Sequence, residues 1–438
     1  MAEANEKMEA IIALCKRRGF VYQGSEIYGG LAGTWDYGPL GVMLKKNIEN
    51  LWWKMFVDER EDMYGIDAAI LMNAQAWVAS GHVGGFSDPL IECSKCKKRF
   101  RADHLDDKEK CPACGGKLGE ERQFNMMFKT QVGAMEDAGS ITYLRPETAG
   151  GMFVNYKNVV DSFHPKLPFG LAQIGKAFRN EIAARDFIFR VRELEQMEVE
   201  YFVRPETWEE HFELLRKEMW KFIDAIGLSK EKVHELEVAD EDRAHYSKRT
   251  IDFEYDYPFG CKELYGLAYR GDFDLKSHQE GSKVNLEYFD EEKKEKFLPH
   301  VIEPSLGVGR TMLAILTEAY TEDEMGGEKR VYLKFNSAMA PIKVAIFPLL
   351  KNKQELVVKA REIYGMLKKQ IPNIMFDDNG NIGKRYRRQD EIGTPYCVTI
   401  DFDTLGENPA EKDTVTLRDR NTGAQKRVAI SELLPLLA

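Results

Sequence analysis

Apolar residues along the chain recur with two periods. After Pro39 they fall at helical spacing, at Leu40, Met43, Leu44, Ile48, Leu51, Trp52, Met55 and Phe56, which predicts a helix with a broad buried stripe. Pro39 stands where a first helical turn tolerates a residue without an N–H. From Ile141 to Val203 the pattern is strand-rich. I-T-Y-L-R and L-A-Q-I-G-K-A-F-R-N-E-I read as strands, and F-R-V-R-E-L-E-Q-M-E-V-E-Y-F-V alternates longest. In it Phe189, Val191, Met197, Val199 and Tyr201 share one face, while Arg190, Arg192, Gln196, Glu198 and Glu200 share the other. So polar a face on so long a strand predicts an antiparallel sheet with one working side.

Helical spacing returns from Thr207 to Gly227, where Thr207 and Glu210 are placed for a capping box and Gly227 for a terminator. The charged residues that follow complete an expected helical insertion over about 205–250. Short strands resume around Asp252 and Tyr269, residues 281–297 read as a solvated loop, and Met312–Ala319 continues a helix that opens near Gly307. Past Ala340–Pro341, K-V-A-I-F-P-L, N-I-M-F-D, P-Y-C-V-T-I-D and V-T-L-R-D-R read as strands. Between them lie an amphipathic helix (Leu356, Ala360, Ile363, Leu367) and a basic helical stretch. That alternation predicts a compact α/β unit with a mostly parallel sheet over 340–438, behind a body spanning 1–339.

Length and composition narrow the class. At 438 residues the chain holds about three domains' worth of material. With 43% hydrophobic and 31% charged residues it is no collagen, disordered chain or disulfide scaffold. No apolar stretch reaches the roughly 18 residues of a membrane span. The opening M-A-E-A-N-E-K-M-E-A-I-I-A-L-C lacks the basic-then-apolar order of a secretory leader, so no membrane and a cytoplasmic protein are expected. A net charge of −10 argues against a DNA-coating role. Residues 340–438, however, carry 9 Lys and 7 Arg against 13 acids, which suggests a local polyanion contact there.

Chemistry concentrates in four places. Cys93-x-x-Cys96 and Cys111-x-x-Cys114 are separated by fourteen residues, inside a Cys-, Lys- and Asp-rich stretch over 87–124. Two such knuckles direct four thiolates at one ion, which predicts a structural zinc site, with Gly115 and Gly116 suited to the second turn. The other three are Arg145-Pro-Glu-Thr148, Arg179-Asn-Glu181 at a strand end, and Glu303-Pro-Ser-Leu-Gly-Val-Gly-Arg310 leading into a helix. Taken singly each is weak, since an R-x-E on a strand is more often a surface ion pair of little worth.

Their order and company resemble the homodimeric type of glycyl-tRNA synthetase, a class II aminoacyl-tRNA synthetase. The likeness covers nearly the whole chain. It includes S-E-I-Y-G-G (Ser25–Gly30), W-D-Y-G-P-L-G (Trp35–Gly41), R-P-E-T-A (Arg145–Ala149) and F-R-N-E-I (Phe178–Ile182). It continues through F-I-F-R-V-R-E (Phe187–Glu193), E-P-S-L-G-V-G-R, and R-R-Q-D-E-I-G-T-P (Arg387–Pro395). The resemblance implies an α+β fold: a class II antiparallel sheet flanked by helices, with the zinc-knuckle insertion and a C-terminal α/β anticodon-binding domain. It implies a glycine–tRNA ligase that forms glycyl-adenylate from glycine and ATP with Mg2+, then transfers glycyl to the 3′ end of tRNA(Gly). It also implies a homodimer built on the Pro39 helix.

The same resemblance assigns the residues. Arg179, Glu181 and Arg310 are catalytic. ATP falls to these with Asn180, Phe189, Arg190, Val191, Arg192, Glu193, Leu194, Glu263, Leu264, Gly307, Val308 and Gly309. Arginine suits the phosphates because its planar fork pairs two oxygens at once. Glycine falls to Arg101, Glu147, Leu194, Glu195, Gln196, Met197, Glu198, Glu303, Pro304, Ser305, Leu306 and Gly307. The pocket need only exclude a Cβ, so no editing site is needed. Lys384, Arg385, Arg387 and Arg388 are the tRNA-binding cluster. Two positions depart from the pattern: Gly150 stands where the family has Gln, and Leu194 where it often has Phe. The rival expectations are a non-catalytic synthetase-like nucleic-acid-binding protein, which would lack Arg179 and Arg310, and a synthetase for threonine, proline or histidine, which would lack R-P-E-T-A together with E-P-S-L-G.

Overall fold

The computed structural model describes residues 2–135, 137–244 and 246–437. Helices α1 (Ala2–Arg18) and α2 (Pro39–Trp53) come first. Pro39 occupies the first turn of α2, and Leu40, Leu44, Ile48 and Trp52 form its buried stripe, as the spacing predicts. A seven-stranded sheet follows: β1 (Met63–Gly65), β2 (Phe169–Phe178), β3 (Glu193–Val203), β4 (Val233–Glu237), β5 (Arg249–Tyr257), β6 (Gly260–Gly271) and β7 (His300–Gly307). Its spatial order is β4-β5-β6-β7-β3-β2-β1, antiparallel throughout except for β1, which runs parallel to β2.

Helices cover both faces. Below the sheet, α2, α4 (Trp208–Ala225) and α6 (Val308–Ala319) bury Leu44, Phe222 and Leu313 against Met197, Val199 and Tyr201. Above it, α3 (Ala149–Phe163) and α5 (Phe273–Ser282) bury Phe153, Tyr156 and Leu275 against Leu171 and Phe202. Phe202 shares its face of β3 with Gln196, Glu198 and Glu200. The face that reads as polar in the sequence is therefore roofed rather than wet, and Glu198 is 2% exposed. A polar strand face that a domain buries is the place to look for a site.

Three expectations are corrected. The long alternating strand begins only at Glu193, because Asp186 and Phe187 take positive φ (60° and 58°) and fold the preceding residues into a turn. The stretch about 205–250 is no separate insertion: α4 carries Phe212, Leu215 and Met219 into the main core, and β4 is an edge strand of the central sheet. The Thr207–Glu210 capping box does not form, since the Thr207 hydroxyl donates to Arg204 O at 3.3 Å instead, while Gly227 closes the helix at φ +84°.

The knuckle insertion is a small sheet of Ser87–Glu92 paired with Arg99–Arg101 and Arg122–Asn125. Beyond residue 340 the chain builds a second core on Val344, Ile346, Leu356, Ile363 and Val398. Its elements are β8 (Val344–Pro348), α7 (Gln354–Lys368), β9 (Ile374–Phe376), α8 (Ile382–Glu391), β10 (Tyr396–Ile400), β11 (Thr414–Asp419) and β12 (Gln425–Ala429). The order is β9-β8-β10-β11-β12. The first three strands are parallel, but β11 and β12 are antiparallel, so the sheet is half rather than mostly parallel.

Candidate active site

A cleft of about 260 Å³ opens where β2 ends, β3 and β6 begin, and β7 passes into α6. Four arginines line it: Arg190 from the turn before β3, and three from other elements. Arg179, just past β2, donates its Nε to Pro146 O at 3.1 Å and lays its guanidinium over the Phe86 ring at 5.5 Å. Arg310, in the first turns of α6, pairs with Glu263 at 3.0 Å and lies over Phe189 at 4.6 Å. Phe189 is held edge-on by Tyr257 and Phe259. Arg101 comes from the knuckle insertion, paired with Asp88 at 2.7 Å and Asp103 at 2.6 Å. Gly309 has to be glycine, since a Cβ there would sit 2.9 Å from Ile188 O.

Three cleft-lining residues, Glu181, Arg190 and Gln196, carry a buried polar atom without a partner. Glu181 Oε2 and Arg190 Nη1 are both sealed from water and lack a hydrogen-bond partner. Buried groups are otherwise nearly always paired, so an unpaired acceptor and donor in one cleft mark the place of an absent ligand. Burial raises the Glu181 carboxyl, against the pull of Arg190 and Arg179. Glu263 goes the other way, held down first by Arg310. A half-exposed carboxylate of lowered pKa, ionised beside an arginine, suits a hard divalent cation such as Mg2+.

At its inner end the cleft runs onto the roofed face of the sheet. Glu198 accepts from Gln196 Nε2 and Ser305 Oγ, each at 2.6 Å, from Ala149 N at 3.1 Å, and from the amide and hydroxyl of Thr148. Glu147, in the turn before α3, lies 3.4 Å from His82 Nε2. Burial would raise this carboxyl, but His82, Arg270 and Arg179 hold it down to about 2. Glu303 on β7 accepts from Arg270 Nη1 at 2.9 Å, and Arg270 also forks onto Asp274 at 2.7 and 2.8 Å. Burial, with Glu198 and Glu147 nearby, raises Glu303 to about 8 despite that arginine. The result is a cluster of three buried acids, Glu147, Glu198 and Glu303, 2 to 7% exposed, a charge suited to an ammonium group.

Other expected residues fall elsewhere. Met197, Leu306 and Val308 point into the main core. Glu193 pairs with Lys176 outside the cleft, and Glu195 lines it while bound to Lys45 at 2.7 Å. Arg192 braces backbone, donating to Ala32 O and to Glu181 O at 3.1 Å. Asn180 docks its amide on Met126 O at 2.8 Å, and Pro304 sits in the β6–β7 ladder. Leu194, Val191, Leu264 and Gly307 line the cleft. Gly150 faces Trp77, whose ring would stand 2.8 Å from a Cβ there, so the indole fills the room that a longer side chain would need. His82, Arg270 and Asp274 are participants that no short motif announced; Arg270 and Asp274 are four apart, but only the strand-to-helix turn makes them meet.

In the knuckle, the four sulfurs lie within 4.8 Å of one another, with Cys93–Cys114 at 3.6 Å and Cys96–Cys111 at 3.7 Å. A tetrahedral zinc with bonds of about 2.3 Å requires sulfurs about 3.8 Å apart, so the set fits. Gly115 (φ +67°) makes the second turn, and a Cβ at Gly116 would press on two of the sulfurs. In the C-terminal unit, Arg385 is 1% exposed and donates to the carbonyls of Pro348, Asp378 and Gly380. Arg388 forks onto Asp377, Arg387 pairs with Glu328 at 3.1 Å, and Lys384 is exposed.

An antiparallel sheet with one parallel edge strand, two far-separated arginines on one cleft and a glycine-rich turn opening the helix below define a class II tRNA synthetase. The profile described as tRNA synthetase class II core domain (G, H, P, S and T) matches residues 128–319, and the anticodon binding domain matches residues 343–438. The chain is 50% identical to the glycine–tRNA ligase of Clostridium tetani, over 98% of both chains. It is 50% identical to that of Acetivibrio thermocellus, over 99% of this chain and 98% of the relative, and 48% identical to that of Thermobifida fusca, over 100% and 99%. The chain belongs to the glycine–tRNA ligase family. Among the described residues no helix is long and apolar enough to cross a membrane.

Proposed function

We propose that this chain joins glycine to its tRNA in two steps at the cleft. The carboxylate of glycine attacks the α-phosphorus of ATP and pyrophosphate leaves; the hydroxyl at the tRNA 3′ end then attacks the glycyl carbonyl and AMP leaves. Negative charge builds on phosphate oxygens, so fixed cations aimed there lower the barrier. Arg179 holds the α-phosphate and the incoming carboxylate. Arg310 holds the γ-phosphate, which keeps attack and departure in line. Glu181 accepts from the adenine amino group while Phe189 stacks on the ring. Mg2+ held at Glu263 would neutralise part of the pyrophosphate charge. Glycine already arrives as a carboxylate, so no general base is needed.

The amino-acid end follows from the acidic cluster. Glu147, Glu198 and Glu303 surround the ammonium, Ser305 and Gln196 orient Glu198, and the packed surroundings reject a Cβ. The observation that carries this reading is the convergence of Arg179, Arg310 and the unpaired Glu181 on one cleft that reaches Gln196 and Ser305, the donors to Glu198. We further propose zinc on Cys93, Cys96, Cys111 and Cys114, and a cytoplasmic setting consistent with four clustered free thiols. We also propose a homodimer, supported by the exposed Ile27, Tyr28 and Leu31 in the loop that leads to α2. For the anticodon, the accessible Lys384 and Arg387 are the phosphate contacts, with Arg385 and Arg388 shaping the surface behind them. ATP–pyrophosphate exchange tests the core reading: glycine supports it at least about a hundredfold better than alanine or serine. Equal exchange with alanine would overturn the pocket.

A further inference from the structure

Glu200 has no part in the scheme above, yet it is the most isolated charged side chain near the site. It lies on β3 two residues beyond Glu198, on the same face, and is 0% exposed. Neither of its carboxyl oxygens has a hydrogen-bond partner. The β3–β7 ladder pairs Glu198 with Ser305 and Tyr201 with Ile302, so Glu200 stands across from Glu303. The groups that face this pair are Arg270 from β6, Asp274 from α5, Glu198 from β3 itself, Glu147 from the turn before α3, and Tyr246, whose ring lies 3.7 Å under the Arg270 guanidinium.

Counting partners decides where a proton resides. Among the described residues, only one guanidinium, that of Arg270, hydrogen-bonds any of the five carboxyls here. Arg270 gives its nitrogens to Asp274 and Glu303. Glu198 has its own donors, and Glu147 has His82. Glu200 alone has nothing, and an unpaired buried carboxylate is too costly to persist when it can take up a proton. Burial first, and then Glu303, push its pKa well above the ordinary carboxylate range.

We propose that Glu200 is a positioning residue that works as an uncharged acid: it keeps its proton so that Glu303, across the ladder, carries the charge that receives the glycine ammonium. This rests on the glycine pocket proposed above. Were Glu200 the ionised partner, Glu303 would hold the proton and the ammonium would meet a neutral acid. The retained O–H is also a donor that steadies Glu303 once glycine draws it away from Arg270. Glutamine reproduces both properties, being neutral, of equal length and a donor; leucine reproduces only the neutrality.

The test uses full-length protein and glycine-dependent ATP–pyrophosphate exchange from pH 6 to 8.5, with KM measured for each substrate. Glu200→Leu raises the glycine KM at least about tenfold, the loss of one hydrogen bond to a charged group, and leaves the ATP KM unchanged. Glu200→Gln rescues it to within about twofold and keeps the wild-type rise of kcat/KM for glycine towards pH 8. A tenfold glycine KM defect in Glu200→Gln would overturn the proposal, because charge would then be what matters. Loss of the pH-dependent rise in that variant would overturn it too, since Glu200 would then be the titrating group. A Glu200→Leu enzyme equal to wild type would remove the positioning role, and if that variant does not fold, Glu200→Gln still decides the question of charge. Failure of the pocket itself would show separately, as wild-type exchange that does not favour glycine.

Discussion

Glu303 shows how one residue can be tuned at the expense of the fold. Its carboxyl titrates at about 8 in the folded chain, raised by burial and by Glu198 and Glu147, against about 4.3 in an unfolded one. A raised carboxyl stabilises fully below its unfolded value, and that contribution is lost as pH rises through the folded value. The wild type should therefore lose stability between pH 6 and 8.5. Glu303→Gln, which cannot ionise, should lose less over the same interval, by calorimetry, while glycine-dependent exchange collapses. An identical pH slope for the two proteins would remove Glu303 as the titrating group. Residues of this kind were legible in the sequence through the family resemblance, and the chemistry agrees with it: arginines suit phosphates and acids suit an ammonium. Arg270 and His82 were not legible, since an arginine in Y-R-G-D and a histidine in S-G-H-V acquire meaning only when the sheet brings Glu303 and Glu147 beside them.

Elements were read well where one period dominated and poorly where two forces competed. The α2 stripe and the termination at Gly227 follow from spacing and chain geometry alone. The alternation of β3 was also read, but not that its polar face is roofed by α3 and α5, because burial of charge depends on partners distant in sequence. The same limit hid β4, whose charged residues occupy a sheet edge that water reaches on one side. The knuckle is the element whose spacing spoke most directly, and its role reaches beyond its own fold. Its strands carry Arg101, held by Asp88, to the cleft. Cys93→Ser/Cys96→Ser should abolish the proposed zinc, read by metal analysis, and lower exchange at least about tenfold through Arg101, by a loss comparable to one charged contact. The main melting transition should hardly move, because the knuckle has a core of its own. Unchanged metal content would refute the site.

Across the whole molecule, catalytic body and C-terminal unit have separate cores but share a buried joint. Arg330, 1% exposed on the strand Glu328–Leu333, binds Asp323 at 2.5 Å, Asp390 at 3.3 Å and the Arg420 carbonyl at 2.7 Å. Asp390 in turn holds Arg418 at 2.7 Å, and Arg420 donates to Gly393 O at 2.6 Å and Phe335 O at 2.9 Å. Breaking a buried network by removing one member costs about 3–5 kcal/mol. Arg330→Ala should therefore loosen the C-terminal unit, so that tRNA charging falls more than pyrophosphate exchange does. Equal losses in the two assays would show that the joint does not transmit position.

The most direct measurement is a crystal structure of the enzyme bound to a non-hydrolysable glycyl-adenylate analogue. The expected result has Arg179 within hydrogen-bond reach of the phosphoryl group, Glu181 accepting from the adenine amine, and the ammonium enclosed by Glu147, Glu198 and Glu303. An analogue seated with Arg179 turned to solvent, or with its ammonium outside that cluster, would contradict the proposed chemistry.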